Sequence, residues 1–130
     1  MLCKRNSTIA LCACLLFAQA CRQKTASPAD VTLTLTHEIS PQAPRVGPVA
    51  ITLRLTDRSG DSVTGARIAI EGNMSHPGMT PVFAEARETE AGRYRATLEL
   101  SMAGDWIVLV HASLADGRKV EQQFELKVST

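Results

Sequence analysis

Residues 93–100 read RYRATLEL, and their order settles what kind of backbone this chain uses. Tyr94, Ala96, Leu98 and Leu100 alternate strictly with Arg93, Arg95, Thr97 and Glu99. A period of two puts every apolar side chain on one face of an extended chain and every polar one on the other. The segment reads as a strand with one face on a core and one face in water.

The same period recurs on both sides of it. Val31, Leu33 and Leu35 alternate with threonines. Ile51, Leu53 and Leu55 alternate with Thr52, Arg54 and Thr56, and Ile68 and Ile70 with Arg67 and Glu71. Downstream, Phe124, Leu126 and Val128 alternate with Gln123, Glu125 and Lys127. Trp106 to His111 (WIVLVH) is apolar on both faces, which predicts a central strand. Val82 to Arg87, with Phe83, is weakly patterned and reads as an edge strand. Turn residues punctuate the runs: Asp57 to Asp61, Ala91-Gly92, Ala103-Gly104-Asp105, and Asp116-Gly117 as a hairpin signal. Pro41, Pro44 and Pro48 interrupt any strand between Ser40 and Gly47. No window carries a helical stripe. About seven short strands at turn spacings of 8–12 residues predict an all-β, immunoglobulin-like antiparallel sandwich. The single Trp and single Tyr are expected in its core.

The N-terminus has a different character. Lys4 and Arg5 precede an apolar run from Ile9 to Ala20, shorter than the roughly 20 residues a bilayer span takes. Small residues lead up to Cys21. This resembles a bacterial lipoprotein signal, with cleavage before Cys21 and lipidation of the new N-terminal cysteine; ordinary signal cleavage is the alternative. The expected organisation is a signal peptide over 1–20, a flexible polar spacer over 21–30, and one domain over 31–130. All four cysteines (Cys3, Cys12, Cys14 and Cys21) lie at or before the cleavage point. The domain proper therefore has neither a disulfide nor a thiolate for zinc. A net charge of +1, with both signs interspersed, offers no electrostatic case for nucleic acid.

One stretch stands out chemically. Met74-Ser75-His76-Pro77-Gly78-Met79 holds two thioethers and an imidazole, in a chain with four methionines and three histidines. Both donor types suit copper, and a thioether suits Cu(I) far better than Zn²⁺ or Ca²⁺. An extended backbone points Met74 and His76 to one side. Pro77-Gly78 is the pair favoured at the centre of a type II turn, which brings His76 and Met79 within about 7 Å between Cα atoms. Met102, in the loop before the Trp strand, is the candidate fourth donor. The alternative is a surface hairpin whose methionines cover the end of the core, with Met102 a core-edge residue. His111 reads as a hydrogen-bonded core-edge residue, and His37, beside Glu38, as part of a solvated face. No serine sits in a nucleophile elbow and no phosphate-cradling loop occurs, so no enzyme is expected.

Four segments together resemble the YtkA-like/FixH-type periplasmic domain. They are D-x-x-G-x-x-V-x-G-A (Asp57 to Ala66), NMSHPGM (73–79), AGRYRA (91–96) and SMAGDW (101–106). The copper-resistance CopC sandwich is a more distant likeness. The resemblance implies a small β-sandwich associated with copper trafficking or with assembly of copper-containing oxidases. The chain departs from FixH itself, which keeps a transmembrane anchor where this chain would have a lipid. The expected function is thus an exported, lipid-anchored module that carries or delivers Cu(I) in the periplasm. Its expected partners are the copper ion, the membrane through the lipid, and a membrane protein of oxidase assembly or efflux. The rival expectation is a metal-free sandwich that serves as an adaptor for such a complex.

Overall fold

The computed structural model describes residues 32–130. The signal peptide, the lipidation of Cys21 and the spacer fall outside the described residues. Seven strands follow in order: β1 (Thr34–Ser40), β2 (Gly47–Thr56), β3 (Arg67–Met74), β4 (Val82–Glu90), β5 (Arg93–Leu100), β6 (Gly104–Ser113) and β7 (Lys119–Val128). All pair antiparallel in the order β1-β2-β5-β4-β3-β6-β7. No helix occurs among the described residues.

The architecture is the expected sandwich. β1, β2 and β5 form one layer and β3, β6 and β7 the other. The apolar half of each alternating run faces the space between them. Val49, Ile51, Leu53, Leu55, Ile70, Tyr94, Leu98, Val108 and Val110 are completely buried, with Trp106 beside them. No polar or charged residue belongs to that buried set, apart from the Tyr94 hydroxyl. A full Val, Leu or Ile side chain contributes about 1.5–3 kcal/mol on leaving water, so this layer supplies most of the drive to fold.

Two expectations need correction. β4 is not an edge strand: it pairs with β3 through Ile68–Gly72 and then with β5 through Arg87 to Glu90. It crosses from one layer to the other with an irregularity between Glu88 and Glu90. Its inward residues include the small Ala84 and Ala86, which is why its pattern reads weakly. The edges are β1 and β7. His37 is the second correction. It is half-buried, stacked on Phe124 of β7 at 3.8 Å between ring centroids and 9° between planes. The stack and a bridge between Arg45 and Ser129 draw the two edge strands together. β6 lies between β3 and β7, as its two-sided apolar run predicts. Its hairpin to β7 closes with Leu114 N donating to Arg118 O (2.9 Å) around Asp116 and Gly117, the latter at φ +89°.

Candidate metal centre

Strand direction decides which loops meet. β3 runs towards Met74, β5 towards Leu100, and β6 starts at Gly104 opposite Val128. The 75–81 loop, the 101–103 loop, the 41–46 loop and the C-terminus therefore share one end of the sandwich. The ladder places Met74 directly opposite Trp106, and Ser75 N donates to Asp105 O at 3.0 Å. That bond fastens the start of the methionine loop beside the start of β6. Met74 leans across it: a Cβ on Gly104 would sit 2.5 Å from the Met74 methyl carbon. Gly104, at φ +137°, supplies both the space and the backbone conformation. Trp106 Nε1 donates to Met102 O at 3.0 Å, which fixes the backbone of the facing loop.

All three methionines of the domain thus come to one end, carried by two loops far apart in sequence. Met74 is half-buried and packs on the core. His76 is exposed, and Met79 and Met102 are 37% and 46% exposed. Pro77-Gly78 forms the expected turn, with Gly78 at φ +83°, the sign and size a type II turn needs. β3, however, stops at Met74 and the chain bends at Ser75 and His76. The alternation argument that aligned Met74 with His76 therefore ends one residue too soon. Pro77 has no N–H with which to extend the ladder.

The donor chemistry fits a soft ion and little else. Among the described residues, no three His, Cys, Asp or Glu side chains gather where they could share an ion. A metal held at this end would rest on thioether sulfur and the His76 imidazole. His111 takes no part. It lies on the outer face of β6, with Nδ1 3.0 Å from Glu121 Oε1 on β7.

The opposite end is built from hydrogen bonds: those of Asp57 are the local turn bonds its position predicts, and those of Tyr94 and Glu88 are ones the sequence reading missed. Asp57 Oδ1 accepts from Ser59 N (2.8 Å) and Asp61 N (3.0 Å). The Tyr94 hydroxyl donates to Val63 O (2.8 Å) and accepts from Ala66 N (3.1 Å). Burial pushes its pKa up, so the proton needed for the donated bond stays in place. Glu88 accepts from Gly65 N (3.0 Å) and Gly92 N (3.1 Å). Those two bonds, Gly65 first, hold its carboxyl below the usual range. Asp57, Val63, Gly65 and Ala66 are letters of the first motif, and Gly92 and Tyr94 of the third. Their roles here are structural. The signal was present: a Tyr alone among aliphatic inward residues needs a partner for its hydroxyl.

Comparison with known proteins agrees with this architecture. The C-terminal domain of ZirS aligns over 100% of this chain and 88% of its own length, with TM-score 0.53 and 11% identity. The Lin-41 filamin domain aligns over 74% and 90%, with TM-score 0.50 and 16% identity. At such identities the likeness concerns the fold alone. CopC from Methylosinus trichosporium OB3b is also similar, at TM-score 0.47 and 20% identity over 75% of this chain and 94% of that one. No curated protein matches the sequence. The profile of one family, described as YtkA-like, matches residues 24–111 and so takes in all four motifs whole. The chain belongs to the YtkA-like family.

Proposed function

We propose that the protein is an exported copper-binding module that carries Cu(I), held by Met74, His76 and Met79 with Met102 as a further donor. One observation supports this above the rest: the pairing of β3 with β6 collects every methionine of the domain at one end, beside an exposed imidazole. Thioethers have no proton to lose and form no disulfides, so they remain ligands in an oxidising compartment. Cu(I) accepts low coordination numbers and soft, uncharged donors. Met79 and Met102 are open to solvent, which suits an ion that must be taken up and handed on. Lipidation of Cys21 would hold the module at a periplasmic membrane surface, near a membrane protein that receives the ion. The reading assigns the chain no catalysis.

The test is a Cu(I) titration of the purified protein against a competing chelator. Wild type is expected to outcompete the Met74→Ala/His76→Ala/Met79→Ala variant clearly. Equal, weak binding by both would sink the reading. Mass spectrometry of the membrane fraction checks for acyl chains on Cys21. The second reading, a metal-free adaptor, draws on Met74, whose side chain packs on the core. Val46, Met79, Phe83 and Met102, exposed and apolar, also lie at or near this same end. Capture of a membrane complex that persists under copper depletion, by the triple variant as well, would favour that reading.

A further inference from the structure

On the outer face of the β1-β2-β5 layer, arginines stand opposite arginines. Arg54 of β2 is the direct cross-strand partner of Arg93, and Arg87 of β4 is that of Arg95. Arg93 and Arg95 are two apart on β5 and flank the inward Tyr94, so all four point to the outer side. Directly opposite Cβ atoms are about 5 Å apart, and like charges so placed destabilise a sheet. The fold does little to offset this. Arg93 alone has carboxylates nearby, Glu38 and Glu90, each at 3.9 Å and both highly exposed. Among the described residues, Arg54, Arg87 and Arg95 form no ion pair. Thr36, Thr52 and Thr97 lie on the same face and add hydroxyls without adding bulk.

We propose that this arginine tetrad is a docking surface for an acidic segment of a partner protein, in extended conformation with carboxylates at alternate positions. The spacing argues for it. The two arginine pairs are two residues apart along β5, about 6.6–6.8 Å, and one strand spacing of about 4.8 Å apart across it, because Arg54 lies on β2 and Arg87 on β4. An extended chain crossing β5 obliquely repeats its side chains on one face at close to that interval, a mismatch the long arginine side chains can span. One carboxylate would sit between Arg54 and Arg93 and the next between Arg87 and Arg95. Each would meet guanidinium groups that offer planar, bidentate donors. A bilayer fits less well. The large exposed apolar residues, which a bilayer contact would use, lie elsewhere.

The probe is a labelled peptide of alternating Glu and Thr. Its control has the same composition with the glutamates in adjacent pairs. Fluorescence anisotropy with the full protein at low salt is expected to show tighter binding of the alternating peptide. Arg54→Gln/Arg87→Gln should weaken it about tenfold, the size expected for two exposed charge pairs. The melting temperature should hold or rise, since two like-charge contacts are gone. Arg95→Gln alone serves as the second variant, with a smaller loss. Equal affinity for the two peptides, or affinity unchanged in both variants, overturns the proposal. So does arginine-dependent binding to phosphatidylglycerol vesicles in place of the peptide, which would make the face a membrane contact. Sedimentation showing that wild type self-associates through these arginines would also overturn it, in favour of a second copy.

Discussion

Where β2 runs into the Asp57–Ala66 loop, nearly every turn of the chain is held by a named hydrogen bond. Asp57 closes the loop on itself, Glu88 and Tyr94 fasten it to β4 and β5, and Leu55 N donates to Gly92 O to tie β2 to the β4–β5 turn. At the opposite end, Ser75 N is the last anchored group before β4. Beyond its own Pro77-Gly78 turn, no hydrogen bond ties 76–81 to another element among the described residues. One end is built as a joint, the other as an open loop with soft donors on it. The contrast separates two demands. A joint needs geometry that does not vary. A site that takes up and releases an ion needs donors able to rearrange, and those come from the least stable part of a fold.

The contrast can be broken or sharpened by substitution. The largest effect is expected from Trp106→Ala, which removes a fully buried ring and the donor to Met102 O: about 3–5 kcal/mol in chemical denaturation. A loss that small probes at both ends report in a single transition would show that the open end still rests on the common core. Gly92→Ala comes next. Its Cβ would lie 2.7 Å from Ser62 Cβ and 3.0 Å from Leu55 O, at φ +70°, so about 2–3 kcal/mol is expected. Tyr94→Phe keeps the ring and strands Val63 O and Ala66 N, for about 1–2 kcal/mol. Hydrogen exchange should then rise at Val63 to Ala66 and stay unchanged at the methionine loop.

Glu88 gives the joint a pH dependence. Its folded pKa is lowered from the model-compound value of 4.5, so the unfolded chain takes up the proton first as pH falls. The stabilisation is complete above about that value and is lost as pH drops through the lower folded pKa. The melting-temperature gap between wild type and Glu88→Gln should close as pH goes from 6 to about 3. A constant gap would mean that the carboxylate charge is irrelevant to the joint. The smallest stability effect belongs to the open end: His76→Ala and Met79→Ala should each change stability by less than about 0.5 kcal/mol. If either costs as much as Tyr94→Phe, the loop is structural and the two ends are alike.

Much of this was legible in the residues. Strict alternation in Arg93–Leu100, Ile51–Leu55 and Phe124–Val128 reports one buried and one wet face, and a period of two has no other stable use. β4 reads weakly because a strand that changes layers exposes different faces along its length and, after Val82, keeps only the small Ala84 and Ala86 inside. His37 was misjudged because its neighbour, Phe124, is 87 residues away and sits on the opposite edge strand. Tyr94 was placed in the core, yet its hydroxyl bonds could not be read, since they reach a loop 28 and 31 residues upstream.

By itself the sequence determined the strands, their inward faces, the turns at Pro77-Gly78 and Asp116-Gly117, and the soft-donor character of 74–79. Those are local properties, set by side-chain period and by φ preferences. The tertiary structure alone decided that Met74 lies across Gly104, and that Arg54 and Arg87 stand opposite Arg93 and Arg95. Each of these is a register between strands distant in the chain, chosen by how the apolar faces pack together and invisible to any local pattern.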